Sequence, residues 1–312
     1  MLGRRVLGKA EFLNPGGSVK DRAAKFIVEA AESSGALLEG GTIVEGTAGN
    51  TGVALALLAN ERGYRCIIVV PDDQSGEKIE LLRACRADVR VVPAVPFGNE
   101  NNYYHIARRI ARETPGAIWA DQFENVENRR AHETTTGPEL WEQTSGKIDA
   151  FATSAGTGGT ISGVCVSLKQ RNPGIVTVLC DPMGSALFSY ITNGELSTQG
   201  DSDLEGIGIK RVTANFADAP IDRAIQIEDR DAVEMVHWLL RREGLFLGGS
   251  SGLNVVGAAR VALTLPEGAT VVTVLCDGGQ RYLSRLFDET WLREHSVVAQ
   301  GRGLRCLNLD AD

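Results

Sequence analysis

A lysine in the first turn of a helix is chemically out of place. In Asn14-Pro15-Gly16-Gly17-Ser18-Val19-Lys20-Asp21-Arg22 the residues Ala23, Phe26, Ile27 and Ala30 keep helical spacing, so a helix starts close to Ser18. Ser18 is its expected N-cap, and Asp21, three residues on, is the partner of a shortened capping box. Lys20 then meets the positive end of the helix dipole, which disfavours its charged ammonium. Solvated, such a residue is an ordinary surface lysine. Kept neutral, its amine is a nucleophile suited to a Schiff base with a carbonyl compound.

Three glycine-bounded loops offer the complementary chemistry of anion binding. Gly46-Thr47-Ala48-Gly49-Asn50-Thr51-Gly52 follows an apolar run and opens a helical pattern, an arrangement whose backbone N–H groups suit a carboxylate or a phosphate. It lacks the spacing and the lysine of a nucleotide P-loop. Gly156-Thr157-Gly158-Gly159-Thr160 repeats the arrangement and adds two hydroxyls. A dinucleotide fingerprint is its rival, with Asp181 near the distance expected of a ribose-binding acid, but the third glycine of that pattern is replaced by Ile161. The loop reads better as a cup for one phosphate monoester. Gly248-Gly249-Ser250-Ser251-Gly252 is either a serine-capped turn or a site presenting a hydroxyl to a ring nitrogen.

Glycine makes up 36 of the 312 residues, about 12% against roughly 7% in ordinary chains. No collagen-like period or linker tract accounts for them, so they belong to turns and close backbone approaches in a folded protein. The six cysteines form no CxxC pair, and the four histidines form no HExxH, so neither a disulfide frame nor a metal site is expected. No apolar run is long enough to span a membrane, and a net charge of −8 argues against a nucleic-acid binder. The N-terminus lacks the apolar stretch of a signal peptide, and a cytoplasmic location is the expectation.

The elements that must position these loops are β-branched runs alternating with helical patterns. Strands are expected at 42–45, 66–70, 89–92, 117–120, 150–154, 176–180 and 270–276. Helices are expected at 19–33, 51–62, 77–86, 101–113, 135–144, 160–170, 231–243 and 253–263. Near-continuous apolar strands imply parallel sheets covered on both faces, hence a three-layer α/β protein. Two domains fit the length, 1–125 with Lys20 and the first loop, and 126–312 with the phosphate cup and Ser250.

The ordered set FLNPGGSVKDR, GTAGNTG, GTGGT, EGIG, GGSSG and CDGGQRYLS, from about Val6 to about Leu286, resembles the cysteine synthase and cystathionine β-synthase family of fold type II pyridoxal-phosphate enzymes. The resemblance implies a two-domain, tryptophan synthase β-like fold with mainly parallel twisted sheets. It implies that Lys20 holds pyridoxal 5'-phosphate and later moves the substrate's α-proton. Gly156, Thr157, Gly158, Gly159 and Thr160 would hold the phosphate, Asn50 the ring hydroxyl, and Ser250 the pyridine nitrogen. Thr47, Ala48, Gly49, Asn50 and Thr51, assisted by Gln122, would bind the substrate's α-carboxylate, and Gly208 would lie near its amine.

The implied activity is replacement of the acetoxy group of O-acetyl-L-serine by sulfide, through an aminoacrylate, to give L-cysteine in a homodimer. Related readings are cystathionine β-synthase, cysteine desulfhydrase and serine or threonine dehydratase, and one of another class is a non-catalytic binding homologue. Two departures stand out. Ala48 occupies a position where many members carry serine, which removes one hydroxyl. Members also carry a further segment, with a Thr-Pro-Leu stretch, before the strand opening here near Val6, so a shortened N-terminus is expected.

Overall fold

A computed structural model describes residues 3–47 and 49–300. The expected substrate residue Ala48 and the thiol of Cys306 lie outside the described residues. The chain divides into two compact units, Asn14–Ala131 and a second composed of Met1–Leu13 with His132–Asp312. The contact boundary thus falls at Ala131, not at residue 125, and the leading strand belongs to the later unit.

The smaller unit is built on four strands, β2 (Thr42–Gly46), β3 (Arg65–Pro71), β4 (Asp88–Val92) and β5 (Ala117–Trp119), in the order β4-β3-β2-β5 with every pairing parallel. The central β2 is buried throughout, whereas the edge strand β4 is half exposed. Alternation along β2 sends Ile43 to one face, with Ile27, Val28 and Leu55 of helices Lys20–Ser33 and Asn50–Arg62. It sends Val44 to the other, with Ala107 and Ala111 of helix Tyr103–Glu113. Three layers result, as the apolar runs require.

The larger unit carries β1 (Arg5–Ala10), β6 (Ala150–Thr153), β7 (Val176–Pro182), β8 (Arg223–Ile227) and β9 (Thr270–Leu275), in the order β1-β9-β6-β7-β8, again all parallel. Helices Asp229–Glu243 and Gly249–Leu263 bury Val233, Met235, Val256 and Ala259 beside the sheet residues Ala152, Val178 and Val271. No helix among the described residues is long and apolar enough to cross a membrane.

Both sheets have a point where strand order reverses. In the smaller sheet the chain runs from β2 to β3 on one side and later adds β5 on the other. In the larger it runs from β6 to β7 and later adds β9. Ligands of open parallel sheets bind outside the carboxyl ends of the strands flanking such a point. The loops in question are Gly46–Asn50 and 120–123 in one unit, and 154–160 and 276–279 in the other. The sequence places its glycine motifs on these loops.

Candidate active site

In the smaller unit, helix Lys20–Ser33 begins one residue later than the capping argument expects. Val19 is the N-cap and supplies no side-chain cap. Ser18 Oγ accepts the Lys20 N–H at 3.2 Å, and the Asp21 carboxylate turns back to accept the Gly16 N–H at 2.6 Å. Asp21 therefore closes the loop before the lysine instead of a reciprocal box with Ser18. Asn14 Nδ2 donates to the Ser18 carbonyl at 3.0 Å and ties the same turn from its other side. The turn holds a half-buried Lys20 on buried Ser18 and Val19.

At the end of β2 the loop enters helix Asn50–Arg62, whose N-cap is Gly49, with no side-chain cap and no acid in the first turn. Thr47 Oγ1 accepts the Gly49 N–H at 3.2 Å. The end of β5 comes alongside through the Ala120 N–H to Val44 carbonyl bond. This brings Gln122 to Thr51, whose hydroxyl donates to Gln122 Oε1 at 2.6 Å, while Asn128 Nδ2 donates to the Gln122 carbonyl at 2.8 Å. Thr47, Gly49, Asn50, Thr51 and Gln122 thus gather at one reversal point of one sheet.

Sequence reasoning missed what stands behind this loop. Glu45, the penultimate residue of β2, is wholly buried, and neither carboxyl oxygen has a hydrogen-bond partner of good geometry among the described residues. Burial pushes its carboxyl up to about 8, and the charge of Asp121 pushes the same way; the polar groups of Asp121 and Gln122 that face it hold it back only in part. A neutral acid thus sits under a loop suited to an anion. Asp121 itself adopts a left-handed backbone (φ 47°) and accepts the Tyr104 hydroxyl at 3.0 Å.

In the larger unit the phosphate motif follows β6 and opens helix Gly159–Arg171. Its N-cap, Gly158, has φ 86°, a conformation that side chains resist, and a Cβ there would lie 2.6 Å from Phe216 Cβ. No acid occupies the first turn. The Thr157 carbonyl accepts the Thr213 hydroxyl at 2.7 Å, and Thr160 Oγ1 lies 3.1 Å from His132 Nε2. The segment with Gly206 and Gly208 is joined to the same loop by the Gly208 N–H to Ala155 carbonyl bond at 2.8 Å.

Ser250 is buried in the first turn of helix Gly249–Leu263, whose N-cap is Gly248, again without a side-chain cap or an acid. Asn254 on that helix accepts the Ser154 N–H at 2.7 Å and donates to the Val274 carbonyl at 2.8 Å. Ser251 Oγ accepts the Cys276 N–H at 2.8 Å. The serine helix is thereby stitched to the ends of β6 and β9 on either side of the reversal point. Asn254, Thr213 and His132 had no motif to mark them; only the fold shows that they brace the segment 154–160.

The residues fit pyridoxal phosphate. Two glycine-capped helix starts without acids, Gly158–Thr160 and Gly248–Ser250, lie in one unit, and the first is a backbone cradle that a Cβ would fill. A dianion suits such a helix start.

Comparison with known proteins points the same way. Residues 1–277 match the family model described as pyridoxal-phosphate dependent enzyme. The chain is 51% identical over 300 residues to "Cysteine synthase 1" of Emericella nidulans, covering 95% of this chain and 81% of that protein. It is 44% identical to "Cysteine synthase" of Dictyostelium discoideum, covering 94% and 80%. The crystal structure of an O-acetylserine dependent cystathionine beta-synthase from Helicobacter pylori superposes with a TM-score of 0.82 at 35% identity, covering 91% of this chain and 90% of that one. With its fold, glycine-capped helix starts and first-turn lysine in place, the chain belongs to the family of pyridoxal-phosphate-dependent enzymes.

Proposed function

We propose that the chain is a cysteine synthase that replaces the acetoxy group of O-acetyl-L-serine by sulfide to give L-cysteine. The observation that carries this reading is the loop at Thr47–Thr51 with Gln122, an acid-free helix start beside a fixed side-chain amide. Its fit to an amino acid's α-carboxylate agrees with relatives bearing the cysteine synthase name.

When bound, pyridoxal phosphate supplies an electron sink for the pair left at the substrate's α-carbon, which lets a good leaving group depart from the β-carbon. Lys20 would hold the cofactor at Nζ and, once released, move the α-proton as a general base and acid. Gly156, Thr157, Gly158, Gly159 and Thr160 would hold the phosphate, with the helix dipole opposing its charge. Ser250 would offer the pyridine nitrogen a neutral hydroxyl, and Asn50 would meet the ring oxygen. Thr47, Ala48, Gly49, Asn50, Thr51 and Gln122 would orient the carboxylate, and Gly208 would border the amine. Family likeness supports each role, and the acid-free helix starts support those of the phosphate and carboxylate loops.

Reconstitution with pyridoxal phosphate is expected to give a visible absorption band that Lys20→Ala abolishes. Adding O-acetyl-L-serine and sulfide is expected to yield L-cysteine. A bound cofactor with no turnover across O-acetylserine, O-phosphoserine, serine, cysteine and threonine would overturn the reading in favour of a binding protein. Within the same reading the chain works as a cytoplasmic homodimer, which sedimentation and cell fractionation check.

A further inference from the structure

His132 is a buried histidine for which the proposed reaction has no use. It heads a π-helical turn, His132–Thr136, and is 1% exposed. Both ring nitrogens face threonine hydroxyls, Nδ1 at 2.9 Å from Thr136 Oγ1 and Nε2 at 3.1 Å from Thr160 Oγ1. The turn packs against helix Gly159–Arg171, and at the residue that follows it no side chain fits, since a Cβ on Gly137 would lie 2.4 Å from Ser167 Cβ. Thr160 and Ser167 stand about two helical turns apart. The histidine-bearing turn is therefore fixed at two points along the helix that forms the phosphate cup, and single π-helical turns often mark such functional positions.

A neutral imidazole has one donor and one acceptor, so the two hydroxyls must take opposite roles. If Nε2 carries the hydrogen, it donates to Thr160 Oγ1, and the Thr160 hydroxyl hydrogen is left to point away from the ring. Nδ1 then accepts from the wholly buried Thr136 hydroxyl. In the other tautomer the ring consumes the Thr160 hydrogen, and the cup loses a donor. Of the two, only the first lets the Thr160 hydroxyl donate to an anion at the start of helix Gly159–Arg171.

We infer that His132 is a positioning residue for the cofactor's phosphate: the Nε2–H tautomer, held by Thr136, makes the Thr160 hydroxyl a hydrogen-bond donor to a phosphate monoester. This rests on the reading that Gly156–Thr160 hold that phosphate.

The test measures the dissociation constant of pyridoxal 5'-phosphate and the 31P shift of its bound phosphate in wild type and variants, with thermal melts to confirm folding. His132→Ala is expected to weaken binding about 10-fold or more and to move the 31P signal. His132→Gln, whose amide nitrogen reaches the Nε2 position, is expected to stay within about 3-fold, the span of a retained hydrogen bond. His132→Asn reaches only the Nδ1 position and should resemble alanine. Thr160→Val combined with His132→Ala should bind no worse than Thr160→Val alone. Equal behaviour of the Gln and Asn variants, or additive losses in the double variant, overturns the inference, and the Gln and Asn pair decides it if the alanine variant does not fold. Wild type that takes up no cofactor would sink the cofactor reading and this one with it; uptake undisturbed by every His132 variant sinks this one alone.

Discussion

The starts of helices Asn50–Arg62 and Gly159–Arg171 look alike and are built to opposite ends. Each follows a buried parallel strand at a point of strand reversal, has a glycine N-cap and carries no acid in its first turn. Around Gly158 the backbone is left-handed and packed on Phe216, and a Cβ on Gly156 would lie 2.3 Å from the Gly206 carbonyl oxygen. Around Gly49 the backbone is extended, and a Cβ would meet nothing within 4 Å. A tight cradle suits a ligand held through every turnover. A loop open at Gly49, tied to Gln122 through Thr51 and to the Val69 carbonyl through the Thr47 N–H, suits a ligand that arrives and leaves.

The largest effect expected lies under the open loop. Burial pushes the Glu45 carboxyl from an ordinary 4.5 up to about 8, so between those values the unfolded chain is expected to bind fewer protons and stability to fall as pH rises. The contribution is fully present below the unfolded value and lost as pH climbs through about 8; the gap corresponds to about 5 kcal/mol. Glu45→Gln should remove that part of the slope in urea unfolding between about pH 5 and pH 8. An unchanged slope would mean that the carboxyl is not sealed from water.

Next in size, Gly158→Ala should cost about 3 kcal/mol from left-handed strain and the clash with Phe216, read by denaturant unfolding. A near-neutral result would remove the contrast between the two loops. Gln122→Ala should raise the KM for O-acetyl-L-serine by the equivalent of about 1–2 kcal/mol while leaving cofactor retention unchanged. Equal loss of both would make Gln122 scaffold. Smallest of all, Gly49→Ala should shift stability by less than about 0.5 kcal/mol, and a large loss would show that this loop is as tightly packed as the one at Gly158.

Strands β2, β3, β6, β7 and β9 were legible because they are largely buried and read as mainly apolar runs. The strand β8 was not: Arg223–Ile227 is a half-buried edge strand whose alternation is too short to stand out. The helix expected at 135–144 instead continues a helical run that starts at Glu127 and passes through the π-helical turn, since a 3.6-residue pattern carries no sign of a wider hydrogen-bond register. Motif residues such as Thr51, Gly158 and Ser250 could be named because glycine spacing marks them. Glu45 and His132 could not, since an acid ending a strand and a lone histidine ahead of a helix have ordinary surface readings. Only burial and partners, both products of tertiary structure, set them apart.

The leading strand β1 has a consequence for synthesis. Arg5 pairs with Thr270, and its guanidinium reaches the Thr270 hydroxyl across 265 residues of chain. On the ribosome the contiguous unit Asn14–Ala131 can complete its own sheet while β9 is still unmade, so β1 must wait as an unpaired strand until β9 has emerged. Such long-range parallel pairing is slow and leaves a strand open to foreign partners. Pulse-labelled hydrogen exchange during refolding is expected to show β2 and β3 protected first and β1 last. A circular permutant that joins β1 directly after β9 should shorten that wait.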